Sequence, residues 1–339
     1  MRQEPNVDHA AIRTILAGHY GVDATAVRFL PLGFDAEAAV YRVAARDGRH
    51  YFLKLRFGAV NEPALRVAHA LHELGIHEVL APRRARSGRP SCEVDGVGAV
   101  LYPWIDGRDA MTVGLSPGQW RAFGAALRRI HDGGLAGRCR DDLRVESFAL
   151  PSAAAVRGLA RVVESDDLPG PTARRFAAFW RANAGRIEAI IARAEALGRS
   201  LRQRRFEQVL CHGDIHSANI LVGDDGAIHL IDWDAPLVAP RERDLLFVVG
   251  STIARTVLPD EEAAFFAGYG PIAIDPEALA FFRYERFVED LGEFGRSVLL
   301  NPDLGEEARA EEAELAQGYF EPGGYLDLAE TVVLPAMPG

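Results

Sequence analysis

The sequence predicts an α+β protein in which an antiparallel sheet with one helix comes first and a larger, mostly helical part follows. Three observations carry this expectation. Short β-prone runs crowd the first hundred residues, and helical periodicity takes over after Gly107. A strand–turn–strand pattern between Ile220 and Ile231 then interrupts the helical part.

The runs "AVRFLPLG", "AAVYRVAA" and "HYFLKLRF" read as strands, with "RDGR" as the turn between the last two. "NEPALRVAHALHELG" reads as a helix capped by Asn61, with Pro63 in its first turn and Gly75 at its end. Leu65, Ala68, Leu71, His72 and Leu74 give it a mostly apolar face. "CEVDGVGAVLYPWIDG" supplies further strand, broken by Pro103 and Gly107. Beyond it, "SPGQWRAFGAALRRIHDGG" and "PTARRFAAFWRANAGRIEAIIARAEALG" have helical spacing, and the region past Asp244 is helical again. This divides the chain into residues 1–105, ending in a hinge, and residues 106–339. The closing "VVLPAMPG" is expected to be a loose tail.

Composition excludes several classes. The chain has 339 residues, 48% of them hydrophobic and 25% charged, as in an ordinary soluble globular protein. A net charge of −10 argues against non-specific nucleic-acid binding, which favours a basic stripe. Cys92, Cys139 and Cys211 lack the spacing of a disulfide framework or zinc ribbon. The start, "MRQEPNVDHAAIR", has no apolar signal core, and no apolar run reaches membrane-spanning length. The expectation is a cytoplasmic monomer or weak dimer with neither a membrane nor a nucleic acid as partner.

The chemistry concentrates in "CHGDIHSANILVGDDGAIHLIDWD", Cys211 to Asp234. Two readings compete. His212, Asp214 and His216 alternate as H-x-D-x-H, a possible zinc-ligand set, but no second histidine–carboxylate cluster follows to complete it. In the other reading, strands on either side of "GDDG" form a hairpin that returns Asp232 to the side of Asn219. Asp214, five residues before Asn219, lies within reach across one loop. Asn219 and Asp232 offer the hard oxygens that suit magnesium beside phosphate, and Asp214 is left to orient or deprotonate an attacking hydroxyl.

"HGDIHSAN" and "IDWD", preceded by a β-rich region with "FLKL", resemble the aminoglycoside phosphotransferase family of kinase-fold enzymes over nearly the whole chain. "VLCHGDIHSANILVGDDGAIHLIDWDAPLVAPRERDLLFV" and "FFRYERFVEDL" are most similar to the branch acting on spectinomycin. The resemblance implies a bilobal protein-kinase-like fold that uses ATP and Mg2+. It implies Asp214 as catalytic residue, Asn219 and Asp232 as metal ligands, and His212 as a structural residue of the catalytic loop. Lys54 would hold the α- and β-phosphates and pair with a helix glutamate, Glu62 or failing that Glu73. Tyr102 to Trp104 would present backbone groups to adenine. Gly33 would form the turn of the phosphate loop, which has one glycine where protein kinases have three. Gly213 stands where protein kinases have arginine, and Asp232 to Asp244 leaves little room for a phosphorylated activation segment. Both departures point to an unregulated small-molecule kinase.

For the acceptor, Trp233 and Asp234 adjoin the metal ligand. Glu285 lies within an apolar stripe of Phe281, Tyr284, Val288, Leu291 and Gly295, so it faces either a buried base or a polar cavity. Asp290 falls on the opposite, solvated face. The expected activity is ATP-dependent O-phosphorylation of a hydroxyl on a small cationic aminocyclitol antibiotic such as spectinomycin, an antibiotic-resistance chemistry. Choline, homoserine and methylthioribose are rival acceptors. A non-catalytic kinase-fold binding protein and a zinc hydrolase are the alternatives outside kinases.

Overall fold

A computed structural model describes residues 4–32, 37–165 and 167–330. They pack as two compact units. The first comprises residues 1–144, 209–238 and 263–270, and the second residues 145–208, 239–262 and 271–339.

The first unit opens with a helix the strand-rich reading missed, α1 (His9–Ile15), capped by Asp8, which accepts from the Ala10 N–H. Its Ile12, together with Leu16 and Tyr20 of the following π-helical turn, is buried against the sheet with Tyr41, Val43, Leu53, Leu55 and Leu101. The sheet is antiparallel with strands β1 (Ala24–Leu30), β2 (Ala38–Ala45), β3 (His50–Arg56), β4 (Cys92–Val94) and β5 (Val97–Pro103), in the order β1-β2-β3-β5-β4. The β2–β3 turn falls on "RDGR", as expected, and Lys54 sits opposite Val40 on one side and Val100 on the other. The β4–β5 connection is a two-residue hairpin on Asp95 and Gly96, whose φ angles of 52° and 78° suit an Asp-Gly pair. Helix α2 (Glu62–Glu73) begins at Asn61, whose side chain accepts from the Ala64 N–H.

The hairpin expected between Ile220 and Ile231 is present. Ile220–Gly223 pairs antiparallel with Ile228–Leu230, and the Ile231 N–H donates to the Asn219 carbonyl at 3.0 Å. Strand β6 (Gly107–Asp109) extends this small sheet through Gly107↔Gly223 and Asp109↔Leu221. On the other edge, the Leu230 N–H donates to the Glu78 carbonyl, and the Leu80 N–H to that of Leu230. These contacts correct the sequence division at residue 105. Backbone hydrogen bonds tie the hairpin to segments on both sides of that point, so packing does not separate there.

The second unit is helical, with Ser152–Val162, Gly170–Leu201, Pro276–Leu300, Glu306–Gly318 and Tyr325–Glu330 as its main helices. Pro276–Leu300 is its axis and buries Phe281, Phe282, Tyr284, Phe287, Val288 and Leu291. The N-terminal sheet with its helix and the large helical C-terminal part give the α+β, kinase-like class that the sequence implied. No helix among the described residues is long and apolar enough to cross a membrane. Gly33 and the expected tail at 332–339 lie outside the described residues.

Candidate active site

Strand alternation aims Lys54. Leu53 and Leu55 fill the core, so Lys54 and Arg56 project from the other face of β3. Lys54 is only 15% exposed, and its Nζ lies 3.3 Å from Asp232 Oδ1 and in closer contact with Asp234 Oδ2. It is therefore a paired, largely buried lysine and not a solvent-facing one. Burial would lower its pKa, but Asp232 and Asp234 outweigh that and hold the ammonium above the ordinary lysine range. The Asp234 carboxyl is pushed up, by burial first and by the neighbouring Asp232 charge second, with Lys54 opposing. Tyr102 faces the same acidic pair, and its hydroxyl is also raised, chiefly by burial.

Asp232 has a φ of 62°, a conformation few non-glycine residues adopt. Such strain concentrates at functional positions. Asn219, nearly buried, donates its Nδ2 to the Asp214 carbonyl at 2.8 Å and to its carboxylate Oδ2 at 3.4 Å. That orientation makes Oδ1 the oxygen that Asn219 offers a cation. With the Asp232 carboxylate it forms a hard, all-oxygen donor set of the kind magnesium takes.

The histidines have different tasks. His212 is 1% exposed, its Nδ1 accepts from the Asp214 N–H, and its Nε2–H donates to the Ile231 carbonyl at 2.8 Å. Both ring nitrogens are engaged with backbone, which removes His212 from any zinc set and gives it the structural part expected of it. His216 accepts from the Ala218 N–H at Nδ1, and its Nε2 lies 3.5 Å from Asp214 Oδ2. The sequence reading weighed His216 only as a metal ligand and missed it as a neighbour of Asp214. Gly213 between them has a φ of 86°, and a Cβ there would stand 2.7 Å from the Leu237 side chain. The arginine of protein kinases does not fit this backbone.

Several expected roles are corrected. Glu62 does not pair with Lys54, because Arg89 and Ser91 hold its Oε1 at 2.7 and 2.9 Å and Arg66 lies beside Oε2. Glu73 pairs with Arg84 instead. Asp234, expected to border the acceptor, pairs with Lys54, and its carbonyl accepts from Asn61 Nδ2 at 2.9 Å. Trp233 is core, 2% exposed, with its ring against His212 and its indole N–H donating to the Leu230 carbonyl. Glu285 faces a buried base, Arg243, at 2.9 Å, with the two side chains 6% and 5% exposed respectively. Asp290 is buried, not solvated, and is held by Arg286 and the Tyr319 hydroxyl. At the hinge, the Trp104 N–H already donates to the His50 carbonyl and its indole to Asp106, so that amide is not offered to adenine.

Comparison with known proteins places this geometry. A sequence profile described as the phosphotransferase enzyme family matches residues 28–282. The chain belongs to that family. A solved spectinomycin phosphotransferase, APH(9)-Ia with ADP and spectinomycin, is similar over 97% of this chain and 99% of its own, with 29% identity and a TM-score of 0.86. Its AMP-bound complex gives 28% identity, 97% and 100% coverage and a TM-score of 0.83. Choline kinase LicA from Streptococcus pneumoniae shares the fold at 14% identity, 91% and 97% coverage and a TM-score of 0.57. No curated protein sequence matches the chain. As a family member the chain is a phosphotransferase, of the kind small-molecule kinases represent.

Proposed function

We propose that the protein transfers the γ-phosphoryl group of ATP to a hydroxyl of spectinomycin or a closely related aminocyclitol. The observation that carries this reading is the full-length similarity to an enzyme solved with ADP and spectinomycin. The Lys54, Asp214, Asn219 and Asp232 constellation supports the chemistry.

In this reading the acceptor oxygen attacks the γ-phosphorus while the bond to the β,γ-bridging oxygen breaks, so ADP leaves. The Asp214 carboxylate orients the hydroxyl and takes its proton. Lys54 draws the nucleotide phosphates toward Asp232. Asn219 Oδ1 and the Asp232 carboxylate would hold magnesium, which supplies positive charge against the phosphate oxygens when bound. Asn219 fixes the Asp214 loop, and His212 joins that loop to Ile231, so the reacting groups are positioned before substrate arrives.

The test is ATP consumption with magnesium across spectinomycin, other aminoglycosides, choline, homoserine and methylthioribose, with product mass checked for one added phosphoryl group. Phosphorylated spectinomycin supports the assignment. Turnover with choline or homoserine alone would remove the acceptor assignment and leave a kinase. No turnover with any acceptor would count against catalysis itself.

A further inference from the structure

We propose that Asp234, gripped by Asn61 at the start of α2, positions Lys54 for the nucleotide phosphates. A helix glutamate performs this task in protein kinases. The inference rests on the ATP reading above and gives a working part to two residues which that reading leaves out.

All the groups involved lie in the first unit. Lys54 Nζ reaches Asp232 Oδ1 at 3.3 Å and Asp234 Oδ2 in closer contact. The two carboxylates are not equivalent. Asp232 is the one assigned to magnesium, so its charge is shared once the metal and nucleotide are bound. Asp234 is the partner that stays with the lysine. Arg56 Nη1 lies 3.7 Å from the same Asp234 oxygen, so that carboxylate sits between two cations of β3.

The backbone of Asp234 is fixed from α2. Asn61 Nδ2 donates to the Asp234 carbonyl at 2.9 Å, while Oδ1 of the same side chain accepts from the Ala64 N–H at 3.4 Å. One amide thus caps the helix and ties its first turn to the segment just after the metal ligand. The helix is itself anchored, with Ala64, Leu65, Val67, Ala68 and Leu71 buried. The glutamates at its two ends are engaged elsewhere, Glu62 with Arg89 and Ser91 and Glu73 with Arg84. The helix therefore reaches Lys54 through a backbone carbonyl and the aspartate that carries it, in place of a direct salt bridge. Without the Asp234 charge, Lys54 falls back on Asp232 and neutralises the group that the metal needs.

The experiment is calorimetric binding of adenosine, ADP and ATP, with magnesium, to the wild type, Asp234→Asn, Asp234→Glu and Asn61→Ser, each repeated in a Lys54→Ala background. Asn61→Ser keeps a capping oxygen for α2 but loses the amide donor that holds Asp234. Asp234→Asn and Asn61→Ser are each expected to weaken ADP and ATP by about fivefold or more, the scale of a charge-assisted hydrogen bond, with adenosine changed less than about twofold. Asp234→Glu should recover part of the loss, and with Asn61→Ser it carries the test if Asp234→Asn melts early. In the Lys54→Ala background the same substitutions should change ADP and ATP by less than about twofold, because the group they position is gone. Unchanged or tighter ATP binding by Asp234→Asn, or an equal loss without Lys54, overturns the proposal while leaving the kinase reading intact. Failure of the wild type to bind ATP would overturn both. Binding requires no acceptor, so a wrong acceptor assignment leaves the result readable.

Discussion

Asn219 grips Asp214 twice, through the backbone carbonyl at 2.8 Å and the carboxylate at 3.4 Å, so one amide sets both the loop and the orientation of the Asp214 carboxylate. Asp214→Ala is expected to lower kcat by about 10²–10⁴-fold, the usual contribution of a positioned general base, with ATP affinity unchanged. Asn219→Asp keeps an oxygen but loses the donor, and should lower kcat by about tenfold or more. Steady-state kinetics with parallel calorimetry check both. Near-normal turnover by Asp214→Ala would falsify its catalytic assignment.

Lys54 is held by Asp232 and Asp234, and Glu62 by Arg89 and Ser91. Lys54→Ala should therefore raise the KM for ATP by about tenfold or more, as expected for a lost charge-assisted contact. Glu62→Ala should leave that KM near the wild-type value. A large KM effect of Glu62→Ala would restore the helix glutamate as the partner of the lysine.

Glu285 and Arg243 neutralise each other inside the second unit. Removing one partner strands a buried charge, so Glu285→Ala should cost about 3–5 kcal/mol in stability. Denaturant titration reads the loss. Replacing both partners with apolar side chains of similar volume should recover most of it, which distinguishes a structural pair from an acceptor ligand.

Gly213→Ala forces a Cβ onto a left-handed backbone and against Leu237. The strained φ alone should cost about 1–3 kcal/mol. A lower melting temperature together with lower kcat is expected, because the peptide leads directly into Asp214. An unchanged melting temperature would show that the loop relaxes freely.

His69 has a pKa below its ordinary 6.5, chiefly through burial and then through Arg84. A depressed histidine stays neutral in the folded state while the unfolded chain takes up a proton. Its contribution to stability is thus complete above pH 6.5 and is lost as pH falls from there toward the folded pKa. The melting temperature should drop less between pH 7.5 and about pH 5.5 in His69→Gln than in the wild type. An identical drop in the two would rule His69 out as a contributor.

The catalytic hairpin was legible because its residues are local. Asn219 and Asp232 are joined by one turn, and "GDDG" names that turn in the sequence. The strand address of Lys54 was legible from alternation. Its partner was not, since Glu62 lies close in sequence yet rotates toward Arg89 and Ser91, which arrive from the start of the next hairpin. Glu285 was flagged correctly as needing a base or a cavity, but its base sits 42 positions away and no periodicity reports such a meeting. Asp290 misled for the same reason, as Tyr319 covers it from the turn that ends the Glu306–Gly318 helix. Helix α1 did carry a signal, in Asp8 and in the Ile12–Leu16 spacing, inside a segment read only for targeting features. Asp95 and Gly96 likewise spell a hairpin turn within a run read as continuous strand.

The first unit is assembled from three separate stretches of chain, and this orders events during synthesis. When Lys54 and its strand leave the ribosome, the carboxylates that hold it are still some 178 residues from being made. The nascent sheet can close over Ile12, Leu53 and Leu101, but its polar face waits for Asp232 and Asp234 to emerge. In the proposed reading nucleotide capture is therefore a late event in biogenesis, since chains released before residue 214 carry Lys54 without Asp214, Asn219 or Asp232.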